Sequence, residues 1–325
     1  MYNIRPWKSA VALTGILLGA PMAALSATYP SKPITLIVPF APGGMADQVA
    51  RVIAPAIHAE YKVPVIVENK AGAGGSIGNH AVASAPGDGY TLLVASAGIT
   101  TEAATRKNLP YDMRTDLAAV TQLVVMPNVV LVNERFKAQT LGDLISYARE
   151  KPDTVLAGSS GIGSSTHFAT ELFNATAGIK TVHVPYKGGA PTWQALMAGE
   201  INMLIDPLPS ARNLVNSGKV RALALAAAER SPLLPDLPTT AEAGLPSYGS
   251  EMWFGLFAPA STPPELLDRI QQMFRHALDD GNVRKWSLEH GLSVVGNSPE
   301  AFHAANAKEI ERWTELARLH HIEVD

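Results

Sequence analysis

The chain predicts an α/β protein of two lobes, with mostly parallel sheets and helices on both faces. Three observations carry this. Short β-branched or apolar runs alternate with helical ones, first from Ile34 to Ala95 and again from Val129 to Ala226. Gly/Ser-rich turns recur at the ends of those runs. Finally, the last seventy or so residues are mainly helical and read as a return to the first lobe.

The first run, Ile34 to Val38, leads into Pro39-Phe40-Ala41-Pro42-Gly43-Gly44-Met45-Ala46-Asp47. A helix to Tyr61 follows, with Val49, Val52, Ile53, Ala56 and Ile57 on one face at helical spacing. Val63–Val67, a helix from about Ile77 to Ser84, and Tyr90–Ala95 complete a βαβαβ set, with Asp88-Gly89 as a turn. The second set runs through Val129–Val132, Thr154–Ala157, a helix from about Thr166 to Ala177 and Thr181–Val184. It continues with a helix from Thr192 to Gly199, then Ile201–Ile205 and Val220–Ala226. Pro-rich Ser231 to Pro246 is a surface connection, and Trp253 to Pro259 a further strand. Leu266, Ile270, Met273, Phe274 and Leu278, then Phe302, Ile310, Trp313 and Leu316, mark the closing helices. The expected domains are 28–125 with 251–325 as lobe 1 and 126–250 as lobe 2, crossing near Ala118–Val130 and Tyr248–Phe257.

The turns after the strands carry the functional signal. A strand, a glycine turn and a helix start together form an anion trap, because first-turn amides lack partners and the helix dipole is positive there. Such stretches are Ala41 to Asp47, Ala71 to Gly78, Ser96 to Thr101, Gly158 to His167 and Pro185 to Pro191. Ligands in open α/β sheets sit beyond the carboxyl ends of the strands, where these turns fall. Both glycines of the Gly43-Gly44 pair are expected to use positive φ and let a ligand approach the backbone.

Single residues carry competing readings. Asp47 either sits in the first helical turn for the dipole or orients the glycine loop. His167 opens a helix beside Ser164, Ser165 and Thr166, where a helix N-terminus keeps imidazole neutral. Gly74-Gly75-Ser76-Ile77-Gly78 matches the G-x-S-x-G spacing of hydrolase elbows, but that elbow follows its strand directly and this one does not. Asp206 ends an apolar run and faces the crevice. Lys187 is the cation within a glycine-rich segment, whereas Arg106 and Arg212 lie farther along. Amides, hydroxyls and water are therefore expected to hold an anion. His320-His321 near Glu323 and Asp325 shows no established metal spacing, so no metal and no cofactor are expected.

Arg5 and Lys8, the uncharged run Ala10 to Ala20 and small residues to Ala27 describe a secretory signal peptide over residues 1–27. Cleavage falls after Ser26, with Ala24 at −3, or after Ala27, with Leu25 there. Removing two basic residues from 26 leaves 24 against 29 acidic, a mature net charge of −5. That argues against nucleic-acid partners and membrane-surface electrostatics. The chain has no cysteine, so its core needs no disulfide.

The motifs together resemble the Bug family, the extracytoplasmic substrate-binding receptors of tripartite tricarboxylate transporters. The resemblance rests on YPSKPITLIVPFAPGGMAD (Tyr29 to Asp47), VIVENKAGAGGSIG (Val65 to Gly78), APGDGYTLL (Ala85 to Leu93), SSGIGSSTHFATELF (Ser159 to Phe173), VPYKGGAP (Val184 to Pro191) and GEINMLIDPLPSA (Gly199 to Ala211). It implies a two-lobe Venus-flytrap fold of the periplasmic binding protein type and a small mono- or dicarboxylate held partly through water. It also implies a periplasmic, monomeric receptor that delivers to transporter membrane subunits. Carried onto this chain, the family's binding loops are Ala41, Gly43, Gly44 and Asp47; Ser76, Ile77 and Gly78; and Ser96 and Ala97. The second lobe adds Ser159, Ser160, Gly163, Ser164 and His167, then Lys187, Gly188 and Asp206. Pro42, Met45 and Pro207 depart from the usual pattern, and Met45 is expected to make one pocket wall apolar. Two other classes compete: a secreted serine hydrolase, which would need a base and an acid near Ser76, and a sensor component that presents its ligand to a receptor.

Overall fold

The computed structural model describes residues 29–324; the signal peptide and its cleavage site lie outside them. The chain runs β1 (Ile34–Val38), α1 (Met45–Tyr61), β2 (Val65–Asn69), a 3-10 turn (Ala73–Gly75), α2 (Ser76–Ala83), β3 (Thr91–Ser96), α3 (Gly98–Thr105) and the long β4 (Leu117–Asn133). It continues with α4 (Leu141–Glu150), β5 (Leu156–Ser159), α5 (Ser165–Ala177), β6 (Val182–Pro185), α6 (Gly189–Ala198), β7 (Met203–Pro207), α7 (Leu208–Asn216) and β8 (Val220–Leu225). It closes with β9 (Glu251–Pro259), α8 (Pro264–Asp279), α9 (Gly281–Glu289), β10 (Ser293–Val294) and α10 (Pro299–His320). No helix of the described residues is long and apolar enough to cross a membrane.

Both halves use the expected parallel units. In the first, β1 lies between β2 and β3; in the second, β5 lies between β6 and β7. Every antiparallel pair involves β4 or β9. The long strand β4 belongs to both halves: Leu117–Pro127 pairs with β9, and Asn128–Asn133 pairs with β7 and β8. Proline usually ends a central strand because it cannot donate to the ladder. Pro127 is tolerated because the strand changes partners there. The next residue anchors both sides: Asn128 N donates to Ser250 O (3.0 Å) and Asn128 Nδ2 to Ser250 Oγ (2.8 Å), while Asn128 O accepts from Ala226 N (2.8 Å). The sequence showed only the Val129–Val132 tail of this strand.

Helices cover both faces of each half. In the first, α1, α8 and α9 pack on one face through Val49, Ile53, Ile57, Ile270, Phe274 and Val283, while α2 and α10 bring Val82, Phe302 and Ile310 to the other. In the second, α4 and α5 lie on one face and α6 and α7 on the other. The two halves also meet outside the sheets, where Phe168 of α5 packs against Trp313 of α10 with ring centroids 5.2 Å apart.

Candidate functional site

The turn after β1 is exposed from Ala41 to Gly44. Only one of its glycines is left-handed: Gly43 has φ +84°, whereas Gly44 has φ −70° and ψ 165°, the extended conformation of an N-cap. The expectation of two positive-φ glycines is corrected to one. Gly44 caps α1 without any side-chain bond, so the first amides of the helix keep no partner from the cap. Asp47 is buried and staples this turn. Its carboxylate accepts from Gly43 N (2.9 Å), from Arg51 Nε (2.9 Å) and from Asn69 Nδ2 (3.0 Å), and Asn69 also donates to Phe40 O (3.0 Å). The Arg51 hydrogen bond above all, with those from Gly43 and Asn69, lowers the Asp47 pKa to about 2 despite burial. Met45, expected as a pocket wall, is half-buried and packs on the core of the first half.

The second turn lies against the first. Gly74 (φ +73°) and Gly75 (φ +116°) bend the chain into α2, and a Cβ on Gly75 would stand 3.7 Å from Phe40. Ser76 is buried at the start of α2, while the Ile77 side chain is exposed and folds back over Gly72. Gly78 has a packing role of its own: a Cβ there would stand 2.8 Å from Pro39 and 2.9 Å from Lys70 O. Ser76 follows a 3-10 turn rather than a strand, which is not the geometry of a nucleophile elbow. Ser96 ends β3 and Ala97 caps α3, with Ala97 N donating to Trp253 O (3.0 Å).

Behind this turn lies a polar network that the sequence did not disclose. Asn79 Nδ2 donates to Tyr111 Oη (2.8 Å), and Tyr111 donates to Glu102 Oε2 (3.3 Å). Arg106 Nη1 donates to Ala73 O (3.2 Å) and stands 4.0 Å from Glu102 Oε1. Burial pushes the Glu102 carboxyl up to about 7, against the opposing pull of Arg106 and Tyr111. Arg106 lies far along the chain from the glycine turn, and the β3–α3 unit returns it there.

In the second half, the loops after β5 and β6 are tied together. Gly188 N donates to Ser160 O (3.1 Å), Ser160 N to Thr166 Oγ1 (2.9 Å), and Thr192 Oγ1 to Ser159 O (3.1 Å). Ser159 is fully buried, and its hydroxyl lies 2.6 Å from His183 Nε2. Ser164 caps α5 by accepting from His167 N (3.3 Å). Gly163 N donates to His167 Nδ1 (3.2 Å), which requires that nitrogen to be unprotonated. The His167 ring stacks on His183 at 3.6 Å, and burial, then His183 and His320, lower its pKa to about 3. Imidazole at this helix start is neutral. Lys187 is exposed at the tip of its loop, and Gly188 (φ +100°) caps α6 with no side-chain bond. Asp206 is buried between helices: it accepts from Trp193 Nε1 of α6 (3.1 Å) and from the Ser210 hydroxyl of α7. Burial raises its pKa to about 7, with Ser210 and Trp193 opposing. It joins α6 to α7 at the end of β7.

The helix starts differ in chemistry, and those of α3, α7 and α8, on Ala97, Pro207 and Pro263, have no side-chain cap. α4, α9 and α10 are capped by their own Thr140, Asp280 and Ser298 side chains, and α5 by Ser164. α1, α2 and α6 begin on glycine caps that offer their amides nothing. Two of these lie in the first half and one in the second. Such starts bind anionic oxygen well, since backbone donors and dipole act together. A concavity of about 740 Å³, lined by Met113, Phe257 and Ile310 among others, includes none of these loops.

The family model of the "tripartite tricarboxylate transporter family receptor" matches residues 49–321. The chain belongs to this receptor family. Among the family's relatives, Protein BugT of Bordetella pertussis (strain Tohama I) is 35% identical over 310 residues, covering 95% of this chain and 94% of BugT. Of solved structures, Rpa4515 of R. palustris with adipate superimposes with a TM-score of 0.78 at 35% identity, covering 91% of this chain and 99% of that one. MatC (Rpa3494) of Rhodopseudomonas palustris with bound malate gives 0.74 at 33% identity, covering 89% and 99%. The fold of this receptor is that of a two-lobed periplasmic binding protein.

Proposed function

We propose that this receptor captures a small carboxylate between its lobes, without chemistry, and presents it to the membrane subunits of a tripartite transporter in the periplasm. The observation that carries this is the set of glycine-capped helix starts in both halves, left without side-chain caps where a ligand's oxygens can take their place. Relatives of the same family and fold that hold adipate and malate support a carboxylate as the anion. Lobe 1, of residues 28–125 and 251–325, would close on lobe 2, of residues 126–250, by hinge motion at the two crossings. The receptor acts as a monomer, and its ligand loops are those of Ala41–Asp47, Ser76–Gly78, Ser96–Ala97, Ser159–His167, Lys187–Gly188 and Asp206.

Titration calorimetry and thermal unfolding of the mature protein against a panel of mono- and dicarboxylates test this. A receptor gains about 2.7 kcal/mol of stability at a hundredfold excess over the dissociation constant, and releases the ligand unchanged. Turnover of a bound compound, or no stabilisation by any carboxylate, would refute it.

A further inference from the structure

We infer that Arg106 is a specificity-determining residue that takes a second carboxylate and makes the receptor prefer dicarboxylates over monocarboxylates. The inference rests on the carboxylate reading above and goes beyond it. Nothing in the local sequence marks Arg106, yet its guanidinium lies against the Gly74 turn. A Cβ on Gly74 would stand 2.8 Å from Glu102 Oε1 and 3.1 Å from Arg106 Nη2, so only the bare backbone leaves room there. The same turn meets Phe40 of the α1 loop through Gly75. It therefore lies between a fixed cation and the loop that leads into α1.

Arg106 is also close to the second half. It follows Thr105, whose Oγ1 lies 3.4 Å from where a Cβ on Gly163 would stand, and its own backbone bridges to Val324, which touches the same glycine. The backbone of Arg106 is thus rooted where the two halves approach. It retains capacity for a ligand. Of its five N–H donors, Nη1 serves Ala73 O, and about a quarter of the side chain is exposed. The neighbouring carboxylate, Glu102 Oε1, is 4.0 Å from Nη1, beyond hydrogen-bond distance. A planar fork with unused donors suits a carboxylate held at two points.

The test compares adipate with hexanoate, equal in chain length and different by one carboxylate, by calorimetry on the wild type, Arg106→Gln and Arg106→Lys. One charge-assisted hydrogen bond predicts that the wild type binds adipate about tenfold or more tightly than hexanoate. Arg106→Gln should erase that preference while hexanoate affinity stays within about threefold, and Arg106→Lys should retain part of it. Equal loss of both ligands in Arg106→Gln would show that the arginine only props the turn through Ala73, and an unchanged preference would show that it does not meet the ligand. Either result overturns the inference but leaves carboxylate capture standing. If the wild type binds no carboxylate at all, both readings fail.

Discussion

At residue scale, Gly44 is the position where fold and ligand make separable demands. Its φ is ordinary, and a Cβ there would meet only Ala41 O, at 3.5 Å. Gly44→Leu should therefore fold with a thermal midpoint near wild type and lose carboxylate binding, because the side chain fills the approach to the α1 amides. Normal calorimetric binding by this variant would remove α1 from the site. Asp47 makes the opposite demand. Its folded pKa of about 2 lies below the ordinary carboxylate value of 3.8, so its stabilisation is present above about pH 4 and lost as pH falls through 2. Water reaches Arg51, so the contribution is discounted to on the order of 1–2 kcal/mol. Asp47→Asn should cost about that much in urea unfolding at pH 7 and only a small part of it at pH 2. The roles of Asp47 and Gly78 could not be separated from ligand contact in the sequence. Their partners, Asn69, Pro39 and Lys70 O, are set by how the loops stack.

At element scale, strands and helices were legible wherever apolar period and turn chemistry agreed, as in β1 with α1 and β5 with α5. Reading failed where tertiary partners overrode local preference. The stretch Gly98–Thr105 has too many β-branched residues to read as helix, yet it forms α3 against α10. Pro127 hid the first two-thirds of β4 for the reason given above. The uncapped starts are the element most open to engineering. Gly44→Asp puts an N-cap side chain onto amides that the wild type leaves open, in a conformation that suits a cap. It should stabilise α1 by a few tenths of a kcal/mol and abolish carboxylate binding, since the protein then supplies its own anion. A variant that is stabilised and still binds at wild-type affinity would show that α1 is not the anion site.

At the scale of the whole molecule, buried ionisable groups of both signs oppose one another. Asp206 and Glu102 have folded pKa values raised to about 7, so between pH 4 and 7 the native state holds protons the unfolded chain has lost, and acidification stabilises. His167 and His183 are lowered to about 3 and about 4, so over the same range the unfolded chain binds more protons, and acidification destabilises. The wild-type thermal midpoint should vary little from pH 7 to 5. Asp206→Asn should make it fall on acidification, and His167→Gln should make it rise, as scanning calorimetry at fixed ionic strength would show. Ligand closure belongs to the same scale. Small-angle scattering should show a smaller radius of gyration with a bound dicarboxylate, and unchanged dimensions would contradict hinge closure.

The sharing of β4 and β9 between distant parts of the chain also decides when the protein can fold. β3 gains its second neighbour only through β9, with Leu93 opposite Phe257, and α10 adds its face later still. Until those residues exist, the first half carries an open strand edge and an uncovered apolar face, and contacts of such long sequence separation slow folding. A chain emerging from the ribosome therefore cannot settle early into the first half as a finished unit, whereas the second half pairs its strands within residues 128–225. A fragment ending at Gly249 should melt with the transition of the second half alone, whereas the same fragment mixed with residues 250–325 should regain that of the first.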